Sequence, residues 1–246
     1  MKRLFATRIP LAAAIALLLN SFSASAQELY FTKEQMPDML KCLPAPPDSG
    51  SSAFDYDVLR YMWGKKMRQD KQRADLAIRD ATWSLDTLAA ILSTPFGHPI
   101  NAEDTPQIFK LLVDGISTIE QVRLEPKAHY SRKRPYVYFN EHSLTVWEET
   151  ELSGEGSYPS GHTIRAWSAA LLLTEVNPAA TEALFERAYI AGESRVIAGA
   201  HWQSDVDASR LAASIAYARL QSSEAFRSQV RKARSEFRGL SHRSRP

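Results

Sequence analysis

Apolar residues recur along this chain at the three-to-four-residue spacing of helices, and no stretch alternates apolar with polar positions as a half-buried strand does. Phe54, Val58 and Tyr61 mark one face of a helix starting near Ala53, with Met62 and Trp63 widening it. Ile78, Ala81, Leu85, Leu88 and Leu92 predict a second helix over 70–93, with Arg73, Asp75, Arg79 and Asp86 facing water. Pro95 and Gly97 stand just beyond its expected end. Thr105-Pro106 joins a capping residue to a proline at the first helical position. Ile108, Leu112, Gly115, Ile119 and Val122 then follow as the buried side of a third helix, which Pro126 is expected to end or kink.

Residues 127–158 show no sustained period and read as a loop, whose Tyr130, Tyr136 and Tyr158 are candidates for pocket walls or for packing. Helical spacing resumes after Pro159 with Ile164, Trp167 and Leu171, and stops at Asn177-Pro178. Further helices are expected over 179–194, 204–221 and 223–237. Ahead of all these, residues 27–52 contain the run Leu43-Pro44-Ala45-Pro46-Pro47-Asp48-Ser49-Gly50 and read as an extended lead-in. The predicted class is therefore all-α: a single-domain helical bundle over 53–240, closed by a basic tail at 241–246.

The first 26 residues break this pattern. Lys2, Arg3 and Arg8 precede or enter an apolar run from Leu11 to Leu19, and Ala24-Ser25-Ala26 follows. A basic start, a short apolar centre and an Ala-x-Ala site read as a secretory signal peptide cleaved after Ala26, which predicts a periplasmic protein. The run is too short to span a membrane, and no later stretch is long and apolar enough to do so.

Charge matters once that segment is set aside. It holds three of the chain's 30 basic residues and none of its 28 acids, so the rest is formally at −1. That balance argues against a nucleic-acid partner. The C-terminal run from Arg227 to Pro246 is basic, with seven cations against Glu236, and is expected to be a solvated face with a frayed end. Cys42 is the only cysteine, which excludes an intramolecular disulfide and a CxxC-type metal site.

Three clusters carry candidate chemistry: Lys127-x6-Arg134-Pro135, Pro159-Ser160-Gly161-His162 and Ser194-Arg195-x5-His201-x3-Asp205. Each alone has a bland reading: solvated surface charge, a turn with a helix cap, a hydrogen bond on a helix surface. Together they describe one task. Lys127, Arg134 and Arg195 can neutralise a multiply charged oxyanion. Ser160 and Gly161 stand at a helix start, where free amides favour anions. Asp205, one helical turn after His201, can orient that imidazole, and His162 supplies a second one as proton donor. His162, His201 and Asp205 could also be drawn as a 2-His-1-carboxylate metal site, but three neighbouring cations would repel the ion, so no metal or other cofactor is expected.

These motifs, in this order and spacing, resemble the signature of the superfamily of bacterial non-specific acid phosphatases, type 2 phosphatidic acid phosphatases and vanadium haloperoxidases. The flanking text, from Gly156 to Thr163 and from Gly192 to Val206, is similar to the class A secreted acid phosphatases, a branch that includes apyrase-like enzymes. The resemblance implies a metal-independent phosphate monoester hydrolase. His201 would be the nucleophile, forming a phosphohistidine, with Asp205 as its orienter and His162 as acid and then base. Lys127, Arg134, Arg195 and the amides of Ser160 and Gly161 would bind the phosphoryl oxygens. Expected partners are small phosphate esters, including nucleotides and sugar or aryl phosphates; homo-oligomerisation is left open. The competing readings are a vanadate-dependent haloperoxidase and a non-catalytic anion-binding helical protein.

Overall fold

In the computed structural model, which describes residues 29–243, the first helices begin where a side chain can take over an unpaired backbone amide. Asp38 accepts from the amide of Leu40 ahead of α1 (Met39–Cys42). Ser51, Asp70 and Ser84 do the same for α2 (Ser52–Met67), α3 (Lys71–Arg79) and α4 (Leu85–Phe96). The stretch 70–93 is thus two helices rather than one. Ser84 caps a new helix, and Asp80 is held elsewhere, paired to Arg187 and accepting from Ser194 Oγ. Ile78, placed on the predicted buried stripe, is exposed as a result. Pro95 does not stop α4 either: the helix runs through it to Phe96 and ends at Gly97, whose φ of 88° suits glycine.

The start of α5 (Pro106–Glu120) departs from expectation in a different way. Thr105 does not cap it, because its hydroxyl bonds the carbonyls of Pro99 and Asn101. The free amides of Gln107 and Ile108 are instead taken by the carboxylate of Glu236, far along the chain. A 3₁₀ turn, Gln121–Arg123, then leads directly into α6 (Leu124–Tyr130). Pro126 sits in the first turn of α6, where a missing N–H costs nothing. The stretch expected to be loop therefore starts helical, and it contains α7 (Pro135–Tyr138), a 3₁₀ turn at Val146–Glu148 and α8 (Glu149–Leu152). Its helices are too short for a hydrophobic period to declare them.

The longer helices α9 (Gly161–Val176), α10 (Thr181–Ala198), α11 (Gln203–Leu220) and α12 (Glu224–Arg243) complete the fold. No strand occurs among the described residues, so the all-α class holds. α9 is the central element, packed by α5, α10 and α11, while α12 covers α5. Ile164, Ala169, Ala170, Leu172 and Leu173 bury it on several sides, as expected for a helix inside a core. Small residues let the neighbours close in: a Cβ on Gly115 of α5 would stand 2.6 Å from Leu172. Met36, Met39 and Leu43 of the expected lead-in also enter this core.

Chain reversals at one end of the bundle gather the motif residues. α10 ends at Gly199 with φ 76°, and the amides of Ala200 and His201 fold back on the carbonyl of Arg195. The turn sets His201 beside Arg195 and leads straight into α11, which starts at Gln203 and carries Asp205 in its first turn. Helix α12 is longer than the predicted 223–237, and three of its cations are paired: Arg227 and Arg231 with Glu224, and Arg234 with Glu175. Cys42 is exposed with a free thiol. The predicted signal peptide and the last residues of the tail lie outside the described residues. Among the described residues, no helix is long and apolar enough to cross a membrane.

Candidate active site

His201 is almost wholly buried, with each ring nitrogen facing a different charge. Nε2 lies 3.1 Å from Nη1 of Arg134. A guanidinium can only donate, so Nε2 must accept and the ring proton of neutral His201 must sit on Nδ1. Nδ1 faces Asp205 Oδ2 at 3.5 Å, longer than a hydrogen bond. Asp205 is itself held hard: its Oδ2 accepts from the amide of Trp202 at 2.8 Å and its Oδ1 from Arg132 Nη1 at 2.5 Å. Nε2 therefore carries the lone pair, which rests against Arg134, and His201 lines a cavity of about 90 Å³ together with Lys127, Arg134, Gly161 and His162.

The cations around that cavity are preorganised by main-chain carbonyls. Arg134 donates to Leu152 at 2.6 Å and to Ala200 at 3.1 Å. Lys127 donates to the Gly156 carbonyl at 2.5 Å and pairs with Glu155 at 3.1 Å. Burial brings the Lys127 ammonium down to about 8, with Arg134 adding to the effect and Glu155 opposing it. Burial, and then Arg195, bring Arg134 to about 10. Arg195 is fully buried, and its Nε donates to no partner. These are costs of holding three cations together out of water, and an anion is what relieves them.

Helix α9 presents its N-terminus to the same space. Ser160 caps it, its hydroxyl taking the amide of Thr163 at 3.3 Å, while its own amide leans to the Asp205 carbonyl at 3.4 Å. Ser160 is therefore spent on holding the helix to α11, and Gly161 and His162 line the cavity. His162 Nε2 stands 3.3 Å from the carbonyl of Ala81 and 3.6 Å from Glu148 Oε1. Burial, Arg195 and His201 push its pKa well below the ordinary 6.5. Burial, Arg134, Lys127 and Arg195 do the same to His201. Burial and the neighbouring cations thus favour the neutral form of both imidazoles.

Several neighbours carried no signal of their own in the sequence. Arg132 bridges the buried carboxylates of Asp205 and Asp57, and Asp57 accepts from the amide and hydroxyl of Ser204. Glu148, on the 3₁₀ turn that leads into α8, reaches Arg195, and Glu155 reaches Lys127. Ser194 of the third motif points away from the cavity and ties Asp80 to α10. Tyr158 is buried with its hydroxyl on the Pro44 carbonyl, and Tyr136 bonds the Glu149 carbonyl. None of the three tyrosines lines the cavity; the aromatic residue that does is Trp83. Among the described residues, no group of three or more His, Cys, Asp or Glu is placed to hold a metal ion.

Comparison with known proteins identifies the chain's relatives. Residues 109–226 match the PAP2 superfamily. The chain is 40% identical over 215 residues to a non-specific acid phosphatase of Providencia stuartii, covering 87% of this chain and 86% of that protein. It is 36% identical over 215 residues to a non-specific acid phosphatase of Salmonella typhi, with the same coverage of 87% and 86%. An acid phosphatase of Zymomonas mobilis is 32% identical over 199 residues, 81% of this chain and 75% of its own.

Proposed function

The chain belongs to the PAP2 superfamily as a class A non-specific acid phosphatase, a phosphate monoester hydrolase, and from that premise we propose that it works through a phosphohistidine on His201, without a metal. The observation that carries this reading is the contact of Arg134 Nη1 with His201 Nε2, which puts the ring proton on Nδ1 and leaves Nε2 as the nucleophilic nitrogen of a residue that lines the cavity.

In this mechanism the phosphoryl oxygens of a bound monoester lie against Lys127, Arg134, Arg195 and the first amides of α9, which replace its hydration with fixed donors. Nε2 attacks phosphorus in line with the ester oxygen. As the N–P bond forms, the P–O bond to the alcohol breaks, and His162 gives its proton to the departing oxygen. Water then attacks the phosphohistidine, His162 takes its proton, and inorganic phosphate leaves with His201 restored. Bound phosphate supplies the negative charge that lets His162 hold a proton beside Arg195. Secretion through the predicted signal peptide places the reaction in the periplasm, and the substrates there are small phosphate esters.

Rapid acid or alkaline quenching during turnover of a ³²P-labelled monoester tests the intermediate. A label that survives alkali, is lost in acid and is absent from His201→Ala is expected. A burst of label on another residue, or full turnover by His201→Ala, would overturn the assignment.

A further inference from the structure

Trp83 sits in the short link between α3 and α4, where its indole is 43% exposed although it forms a wall of the cavity containing His201. Its ring centre is 4.9 Å from that of His162, edge on at 68°. A Cβ on Gly161 would stand 3.0 Å from the indole, so the ring rests directly on the start of α9. Arg165 and Arg123 lie over the ring at 4.1 Å and 5.1 Å from its centre, cation–π contacts that hold the indole in place while it stays partly exposed. The part of the indole that remains exposed beside an anion site offers a stacking partner to whatever enters.

In-line attack by His201 sends the alcohol out on the far side of phosphorus, toward His162. Trp83 borders that side. We propose that Trp83 is the platform for the alcohol part of the substrate and stacks an aromatic ring there, so that the enzyme favours monoesters bearing such a ring, nucleoside 5′-monophosphates among them. The proposal rests on the phosphomonoesterase reading of the site and extends it from the phosphate to the group that carries it.

Adenosine 5′-monophosphate and ribose 5-phosphate form the test pair, because both release phosphate from the same primary alcohol and differ by the base. Wild-type kcat/KM is expected to be about tenfold higher for the nucleotide, the effect of a single base–aromatic stack. Trp83→Ala and the bulkier Trp83→Leu should each cut that ratio about tenfold, chiefly through KM for the nucleotide, while Trp83→Phe keeps most of it. An equal loss on both esters, or an unchanged ratio, overturns the platform and leaves the indole as packing for His162. If Trp83→Ala does not fold, Trp83→Leu and the wild-type ratio decide the matter. A wild type that cleaves both esters equally well refutes the platform alone, whereas one that cleaves neither refutes the phosphatase reading beneath it.

Discussion

Glu148 grips Arg195 with both carboxylate oxygens, at 3.2 and 3.3 Å, inside the cluster that is proposed to receive phosphate. The fully buried guanidinium needs a counter-ion, and the 3₁₀ turn at Val146–Glu148 delivers one. A substrate phosphate must share Arg195 with this carboxylate or displace it. Glu148→Gln is therefore expected to bind inorganic phosphate about tenfold more tightly while melting earlier in its absence, since breaking a buried pair costs about 3–5 kcal/mol. Thermal unfolding across a phosphate titration reads both effects. A variant that is both stable and weaker in phosphate binding would sink the idea of an internal competitor.

Arg134 fixes the tautomer of His201 and, in the proposed mechanism, also holds phosphate. Its fork spans the Leu152 and Ala200 carbonyls as well as Nε2, a geometry that an ammonium cannot reproduce. Both Arg134→Ala and Arg134→Lys should lose on the order of 10²–10³ in kcat/KM, as for other preorganised oxyanion donors. Steady-state kinetics that find the lysine variant near wild type would show that charge alone suffices.

Arg132 acts behind His201, through Asp205. Arg132→Ala strands two buried carboxylates, Asp57 and Asp205. A loss of about 3–5 kcal/mol follows for such an uncompensated pair. For a domain of this size that lowers Tm by roughly 6–20 °C. Calorimetry of Arg132→Ala checks it, and a shift under about 2 °C would mean that the bridge contributes little.

The two imidazoles set a pH dependence whose sign can be worked out. Their folded pKa values lie well below 6.5, so below about pH 6.5 the unfolded chain takes up protons that the folded chain refuses. This contribution to stability is present above pH 6.5 and is lost as pH falls. The free enzyme should therefore melt earlier at pH 5 than at pH 7.5, and saturating phosphate should shrink that difference by letting His162 accept its proton. Melting curves of the double variant His162→Asn/His201→Asn should show a shallower fall. An equal slope in the variant would assign the acid sensitivity to other groups.

The proposed mechanism, with the His201–His162 pair and three protein cations, calls for no added ion. Turnover of p-nitrophenyl phosphate should be the same before and after exhaustive EDTA treatment. Strong inhibition reversed by a divalent ion would instead favour a metal bound by His162, His201 and Asp205.

Much of the site was legible because its parts are local. Ser160 caps the helix that carries His162 in its first turn, and Asp205, four residues after His201, faces its Nδ1 at 3.5 Å across the start of α11. The long helical stripes were legible for the same reason, since a buried face repeats with the turn of the helix. Local rules failed where a distant group supplied the missing partner. Thr105 looks like a cap, but Glu236 does the work, and the 70–93 stripe breaks because Ser84 and the Asp80 network end one helix and start another.

Taken by itself, then, the chain determined its all-helical class, the motif residues and the sense of their chemistry, because period, capping and motif spacing act within a few residues. Only the tertiary structure decided that Arg134 sets the tautomer of His201, that Arg132 and Asp57 brace Asp205, that Glu148 holds Arg195 and that Trp83 stands beside His162. Those pairings are made by side chains from separate helices and links, 47 to 79 residues apart in the chain. The packing of α9 against its neighbours is what brings them within a few ångströms.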